Sequence, residues 1–281
     1  MIESLRKSEP VVLVDCGGLF DATSRDKAEV LLTAMEAMGY DALNLGGPEF
    51  FYGADFLAHA RSHVSFPYIA SNLSPGGNRL AGARQYVIKQ AGGLRVAILG
   101  VVPPEEVDLI PGRERMGGLA ALPPEPALSK LLTEVRPQAD LVVLLSRYDV
   151  EKTSALVQSL TGIDVAVSAG SDDVFYAKPL EHTVLLQTGS QGRTLGLLRI
   201  ARDGTGIRVV DRGHIRLDRT VPDHAGVARL VDGFKNAQQL RAAEAAAQRD
   251  RDLRQGLRLS PQEFMEQYQK QQAETKKGEA R

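Results

Sequence analysis

The sequence has no tryptophan, one cysteine, only 5% aromatic residues and no excess of either charge, with 34 basic against 35 acidic side chains over 281 residues. Each shortage excludes something. The single Cys16 can close no internal disulfide and builds no cysteine-cluster zinc site, so cysteine usage says nothing of redox compartment. A net charge of -1 lacks the basic excess that marks nucleic-acid binders and proteins held on anionic membranes. The longest apolar runs, such as Val11 to Val14 and Leu141 to Leu145, fall far short of the roughly 18 residues of a spanning helix. Met1 to Pro10 carries no signal-peptide core. No nucleic-acid partner and no membrane span are expected, and the chain as written reads as soluble and untargeted. Disorder is not expected either, because a 43% hydrophobic chain of this length can bury a core in one large or two modest domains.

What is present alternates. Val11 to Asp15 reads as a buried strand closed by Cys16-Gly17-Gly18. Asp26 to Met38 sets Ala28, Leu31, Leu32, Met35 and Met38 at helical spacing, and Gly39 supplies the stop. Asp41 to Leu45 predicts a strand ending at Gly46-Gly47-Pro48, followed by a helix over Gly53 to His63 and a strand over Tyr68 to Leu73. This order is that of an α/β domain. Tyr86 to Gln90 and Leu94 to Val101, separated by Ala91-Gly92-Gly93, predict a hairpin, which makes the sheet mixed. Val102 to Pro126, rich in proline and glycine, reads as a long loop. A helix from about Ala127 to Val135 leads into the strand Leu141 to Leu145, and after a further helix come strands at Asp164 to Val167 and Thr183 to Gln187. Thr194 to Ala201 and Gly206 to Leu217 form a hairpin about Asp203-Gly204-Thr205.

From Pro222 the composition shifts to Ala, Gln, Arg and Glu, with Val227, Leu230, Val231 and Phe234 at helical spacing. Ser260-Pro261-Gln262-Glu263 is a capping box with proline at the first helical position, so a second tail helix is expected there. The expected organisation is a domain over residues 1–221 and a helical tail over 222–281.

Generic site motifs are weak. Asp15-Cys16-Gly17-Gly18 follows a strand but lacks the glycine spacing that lets backbone amides cradle a phosphate. His59 and His63 share a helix face, yet no glutamate follows His59, so they read as solvated surface histidines. Asp172-Asp173 and Asp211 read as hydrated loop acids, and no order of Ser, His and Asp suggests a nucleophilic triad. The loops after successive strands, however, fall at one edge of an α/β sheet, where ligands bind. They are Asp15 to Asp21, Gly46 to Gly53, Asn72 to Pro75, Ser146 to Asp149, Ser168 to Asp173 and Gly189 to Gly192.

In chain order, these loops resemble the 5′-nucleotidase-type branch of the calcineurin-like metallophosphoesterases over about Val11 to Asp223. The family's Asp-Ala-Gly-Asp is matched by Asp15-Cys16-Gly17-Gly18, with Gly18 where the metal-bridging aspartate belongs. Its Gly-Asn-His-Glu-Phe-Asp-Tyr-Gly is matched by Gly46 to Gly53, so Gly47 replaces the metal-binding asparagine and Pro48 the catalytic histidine. Leu-Leu-Ser-His appears as Leu144-Leu145-Ser146-Arg147, and Gly-His-Ser-His as Ala169-Gly170-Ser171-Asp172. Met38 to Ala42, Phe66 to Asn72 and Gln187 to Gly196 are also similar. The family's opening Asp-x-His strand has no counterpart, and the chain begins on what would be the helix leading into the second strand.

The resemblance implies an α-β-β-α sandwich of four layers, two mixed sheets between helices, with a helical C-terminal tail. With these replacements it also implies no metal cofactor and no catalytic residue. Glycine and proline offer no ligand to a two-metal centre, and a fixed guanidinium at Arg147 repels a divalent cation. The expected function is a non-catalytic binding or scaffolding module. Asp15, Glu49, Asn72, Arg147, Asp172 and Arg193 remain in the cleft, where Arg147 would hold a small anion; Asp15 and Glu49 alternatively cap loops by bonding backbone amides. The rival is a metal-dependent phosphoester hydrolase with a site rebuilt from Asp15, Asp172, Asp173 and His182. The tail helix, carrying Phe264, Met265 and Tyr268, is expected to dock a protein partner or a neighbouring subunit. The resemblance further implies a periplasmic location.

Overall fold

The computed structural model describes residues 1–74, 82–116, 118–169, 176–203, 206–256 and 265. Helix α1 (Ile2–Ser8) leads into strand β1 (Val14–Asp15) and helix α2 (Arg25–Met38). The ends of α2 are set by its sequence. Ser24 Oγ accepts the Lys27 N–H at 3.2 Å, and Gly39, at φ 71°, returns its own N–H to the last turn. Strand β2 (Ala42–Asn44), a 3-10 turn at Gly47–Phe50, helix α3 (Gly53–Ser62), and strands β3 (Tyr68–Ile69) and β4 (Leu73–Ser74) follow. Next come the hairpin of β5 (Tyr86–Ala91) and β6 (Leu94–Val101), helix α4 (Pro104–Asp108) and strand β7 (Ala120–Ala121). The β5–β6 turn is the expected Gly92-Gly93, both at positive φ, as a tight hairpin requires.

Helix α5 (Pro124–Val135), strand β8 (Leu141–Ser146), helix α6 (Val150–Gln158) and strand β9 (Val165–Ser168) make right of the chain an α/β run. Strands β10 (Tyr176–Leu180) and β11 (Thr183–Gln187), then β12 (Thr194–Asp203) and β13 (Gly206–Arg216), precede the terminal helix α7 (Ala225–Gly256).

Two sheets organise these elements. One has the order β1-β2-β3 with parallel pairing, Val14 opposite Ala42 and Leu43 opposite Tyr68. The other has the order β10-β11-β9-β8-β6-β5, four parallel strands flanked by antiparallel β10 and β5, and is therefore mixed. Side chains alternate across β6, and the alternation shows the layering. Ala97 and Leu99 point to Leu128, Leu131, Leu132 and Val135 of α5 and to Leu156 and Val157 of α6. Val96 and Ile98 point the other way, to Ala42 and Ile69 of the three-stranded sheet. The far side of that sheet, Leu43 and Tyr68, packs against Leu32 and Met35 of α2 and Phe56, Leu57 and Ala60 of α3. Helix, sheet, sheet and helix follow one another, the expected α/β sandwich.

Some elements differ from expectation. The stretch Val102 to Pro126 is not a continuous loop: it holds α4, a 3-10 turn at Arg113–Met116 and β7, with Val107, Ile110 and Leu119 buried. Pro104 starts α4 because proline is pre-set for a first helical turn, so prolines there begin structure rather than prevent it. The strand over Tyr68 to Leu73 is split into β3 and β4, since Asn72 turns its side chain to the backbone of other segments. β10 was not expected and pairs with β11.

The chain divides into two units, Met1–Val227 and Ala228–Arg281. Within α7 Leu230, Val231 and Phe234 are half-buried, whereas residues 235–254 are exposed on every side, with Leu240 at 65% and Leu253 at 64%. Apart from the exposed Met265, the tail helix expected from Ser260 lies outside the described residues, as does the turn Gly204-Thr205. Among the described residues no helix is long and apolar enough to cross a membrane. A helix exposed all round gains nothing from tertiary burial. Truncation after Lys235 is therefore expected to move the thermal midpoint of the α/β unit by less than about 2 °C. Calorimetry checks this, and loss of the transition would make the tail part of the core.

Candidate functional site

The carboxyl ends of strands from both sheets meet in one place. Asn44, the last residue of β2, donates from Nδ2 to Val101 O at 3.0 Å and to Cys16 O at 3.3 Å. One amide thus ties the β1 loop to the end of β6. Arg147, the first residue after β8, donates its own N–H to Val101 O at 3.0 Å. Its guanidinium then reaches across the cleft, Nη1 to Gly17 O at 2.7 Å and Nη2 to Glu106 Oε1 at 2.9 Å, with Nε 3.2 Å from the same oxygen. Glu106 comes from α4, placed over the site by the short link from β6. Glu49, fully buried, accepts the N–H groups of Gly18 at 2.9 Å, Leu19 at 2.7 Å and Gly46 at 2.7 Å.

The glycines shape this centre by what they leave out. A Cβ on Gly18 would lie 2.3 Å from Arg147 Nη1, and one on Gly46 2.7 Å from Arg147 Nε. At Gly47 a Cβ would meet Glu106 O at 2.8 Å and Glu106 Cγ at 2.9 Å. Gly18 also sits at φ 82°, where any L side chain is strained. The space in which side chains at 18 and 47 would project is taken by the Arg147–Glu106 pair.

A divalent metal does not fit the residues present here. Gly18, Gly47 and Pro48 carry no donor side chain, and Arg147 brings its positive charge into the cradle instead of a neutral imidazole. Among the described residues no three His, Cys, Asp or Glu side chains group in a way that could hold a metal ion. The replaced positions Gly170 and Asp172 lie outside the described residues.

The electrostatics follow from burial. Burial pushes the Glu49 carboxyl above its ordinary range, opposed by the N–H groups of Leu19, Gly18 and Gly46 and by the charge of Arg147. Asp15 is likewise raised by burial, opposed by the Gly17 N–H, which it accepts at 2.8 Å, and by Arg147. For Arg147 burial acts downward, but the hydrogen bonds and charge of Glu106, with the charge of Glu49, outweigh it and the net shift is upward. Burial and the neighbouring Asp15 push the Cys16 thiol up to about 12, so no thiolate nucleophile stands here at neutral pH.

Of the residues expected in the cleft, Asp15, Glu49 and Arg147 come together. Asp15 and Glu49 take the loop-capping role, Asp15 accepting the Gly17 N–H on one oxygen and Glu49 using both of its oxygens on backbone amides. Arg147 does not present an open fork to a small anion, because Glu106 already spans it. Asn72 is buried and committed: Nδ2 donates to Val102 O and Leu122 O, and Oδ1 accepts the Val102 N–H. Arg193 lies at the turn before β12 and donates to Gln191 Oε1 at 2.7 Å. His182 belongs at the other end: it is exposed at the start of β11, whereas the cleft lies beyond the carboxyl ends of the strands that run parallel to it. The rebuilt site of the rival reading therefore loses His182, and its Asp172 and Asp173 lie outside the described residues. His59 on α3 and His63 just after it are exposed, with ring centroids 4.5 Å apart and planes tilted by 56°.

Two residues of this centre were not anticipated. Glu106 hid in the stretch read as loop, although Pro103-Pro104-Glu105-Glu106 carries the signal of a helix start, proline at the first position and acids in the first turn. Asn44 carries no sequence signal, since an asparagine at a strand end is ordinary.

Comparison with known proteins agrees with this geometry in fold. The chain is 26% identical to a 5′-nucleotidase of Bos taurus over 266 residues, covering 83% of this chain and 46% of the relative. It is 30% identical to an uncharacterized metallophosphoesterase of Bacillus subtilis over 150 residues, 52% of this chain and 31% of the relative. The structure superposes on a 5′-nucleotidase precursor from Thermus thermophilus with a TM-score of 0.71 at 20% identity, covering 86% of this chain and 52% of the other. A calcineurin-like phosphoesterase from Bacillus subtilis gives a TM-score of 0.67 at 18% identity, covering 85% and 86%. No family model matches the chain. Sequence and structural likenesses both point to the superfamily of 5′-nucleotidases and calcineurin-like metallophosphoesterases, and the chain spans about half or less of the length of these curated relatives.

If Arg147 is the counter-charge of the cleft, Arg147→Ala should destabilise the fold by about 3–4 kcal/mol, because it strands buried carboxylates. Adding Glu106→Gln to Arg147→Ala should recover part of that loss, giving a coupling of about 1–3 kcal/mol in a double-mutant cycle. Chemical denaturation measures both. Additive effects would mean that the pair does not act as a unit.

Proposed function

We propose that this chain, built on the metallophosphoesterase sandwich, is a non-catalytic binding or scaffolding module in which an internal ion pair stands where the metal centre of its relatives would be. The observation that supports this is the fit of Arg147 and Glu106 into the space left by Gly18, Gly46 and Gly47. A phosphoester hydrolase of this superfamily needs cations held by several oxygen and imidazole donors, to polarise the phosphoryl group and to generate a nucleophilic water. A guanidinium tied to a carboxylate neutralises charge but accepts no water as a ligand, and its high pKa leaves it no proton to exchange at neutral pH. The residues that survive from the family motifs, Asp15, Glu49 and Asn72, are occupied with backbone groups.

The same proposal gives the C-terminal tail the part of an interaction arm, supported by a helix that is exposed over residues 235–254. It also includes a location outside the cytoplasm, in the periplasm, carried by the family resemblance alone; fractionation of cells producing the native protein tests that.

The purified protein is expected to hold less than about 0.1 equivalent of manganese, zinc, iron or calcium after dialysis, the donor set being too poor to retain an ion. Hydrolysis of nucleoside monophosphates and aryl phosphates should stay at background with added metals. Near one or two ions per chain, together with activity, would establish the hydrolase instead. A set of Gly18→Asp, Gly47→Asn, Pro48→His and Arg147→His should recover metal affinity only in part, since Gly18 needs a positive φ that aspartate adopts at a cost.

A further inference from the structure

The hairpin of β12 and β13 has a composition unlike the rest of the chain. From Arg193 to Arg219 it carries seven arginines against the three aspartates Asp203, Asp211 and Asp218, with no lysine or glutamate, in a protein whose net charge is -1. Two of the charges are settled internally. Arg199 bonds Glu9, at 3.0 Å, and Asp211. The partner strand β12 is anchored, with Leu198 and Ile200 packed against the core between the sheets. β13, like β12, is hydrogen-bonded along one edge only among the described residues, but its outward edge carries exposed side chains. Its Arg212 and Arg216 are exposed, and so are Val210 at 46% and Leu217 at 38%. Because Leu198 stands opposite Arg212 and Thr194 opposite Arg216, the two arginines share one face. His214 lies between them, at a repeat of about 6–7 Å per pair of residues.

A long strand with one open edge is a template for a further strand. Its arginines decide which one. In a second copy added edge to edge they would meet like charges, whereas an extended segment with acidic side chains at alternate positions meets Arg212 and Arg216 on the same face. We infer that β13 is a docking edge for an extended acidic segment of a partner protein, which adds to the β12–β13 hairpin as a third strand. The ladder of backbone hydrogen bonds supplies the affinity and the arginines select the sequence.

The test uses the full chain and a fluorescein-labelled nine-residue peptide of alternating glutamate and threonine, read by fluorescence anisotropy at low salt. Saturable binding is expected, weakened by about tenfold or more when alternate peptide nitrogens are methylated, because the charges remain while the ladder is lost. Binding should weaken by a similar factor with Arg212→Glu/Arg216→Glu, whose thermal midpoint must match that of the wild type. An alternating lysine–threonine peptide should not bind. Absence of saturable binding overturns the inference. Equal binding of the methylated peptide also overturns it, leaving only a polyanion-binding patch, and so does indifference to the charge reversal. A dimer in sedimentation that the acidic peptide fails to disperse would assign the edge to a second copy. No arm reads metal or hydrolysis, so failure here leaves the reading of the cleft standing, and the converse holds.

Discussion

Everything at the mouth of this sandwich depends on one ion pair. Arg147 leaves the end of β8 and joins α4, through Glu106, to the β1 loop, through Gly17 O, with the carboxylate of Glu49 near enough to favour its charge. A divalent cation in such a place would do two separate jobs, neutralising carboxylates that converge from different strands and supplying Lewis acidity to a substrate. A tethered guanidinium can do the first without being loaded from solution, and cannot do the second. Burying such a pair is weak as a source of net stability, but breaking it is costly, because the remaining partner keeps its burial and loses its counter-charge. The pair therefore fixes the loop arrangement more than it deepens the fold.

The glycines belong to the same constraint. Glycine at 18, 46 and 47 is explained by turn geometry only at Gly18, where φ is positive; at Gly46 and Gly47 the backbone is ordinary and the reason is proximity to Arg147 and Glu106. Glycine at these positions and arginine at 147 are thus two sides of one packing solution. The carboxylate of Glu49 completes it by drawing the β1 and β2 loops onto a single set of oxygens.

Much of the fold was legible in the sequence wherever one local signal decided the outcome. Ser24 and Gly39 bound α2, Gly92-Gly93 turns the β5–β6 hairpin, and Leu141 to Leu145 is apolar throughout because both of its faces are covered. The layering needed the structure, since alternation along β6 says that two faces are buried and not what buries them. In the cleft, Gly18, Gly47, Pro48 and Arg147 at the motif positions were readable, while the partner that fills the space beside them was not. Arg147 was visible as a replacement, but its partner Glu106 lies 41 positions earlier, in a proline-rich stretch, and only the packing of α4 over the strand ends brings them together. His182 shows the opposite error: it sits next to a strand end in sequence, yet chain order alone does not say which edge of the sheet it occupies.

The account turns on whether a cation can enter the cradle at all. Crystals of the protein grown with manganese, measured at the manganese absorption edge, test this directly. The account predicts no anomalous peak between the β1, β2 and β8 loops and clear density for the Arg147 guanidinium spanning Glu106 and Gly17 O. A manganese peak in that position, with Arg147 swung out toward solvent, would contradict it.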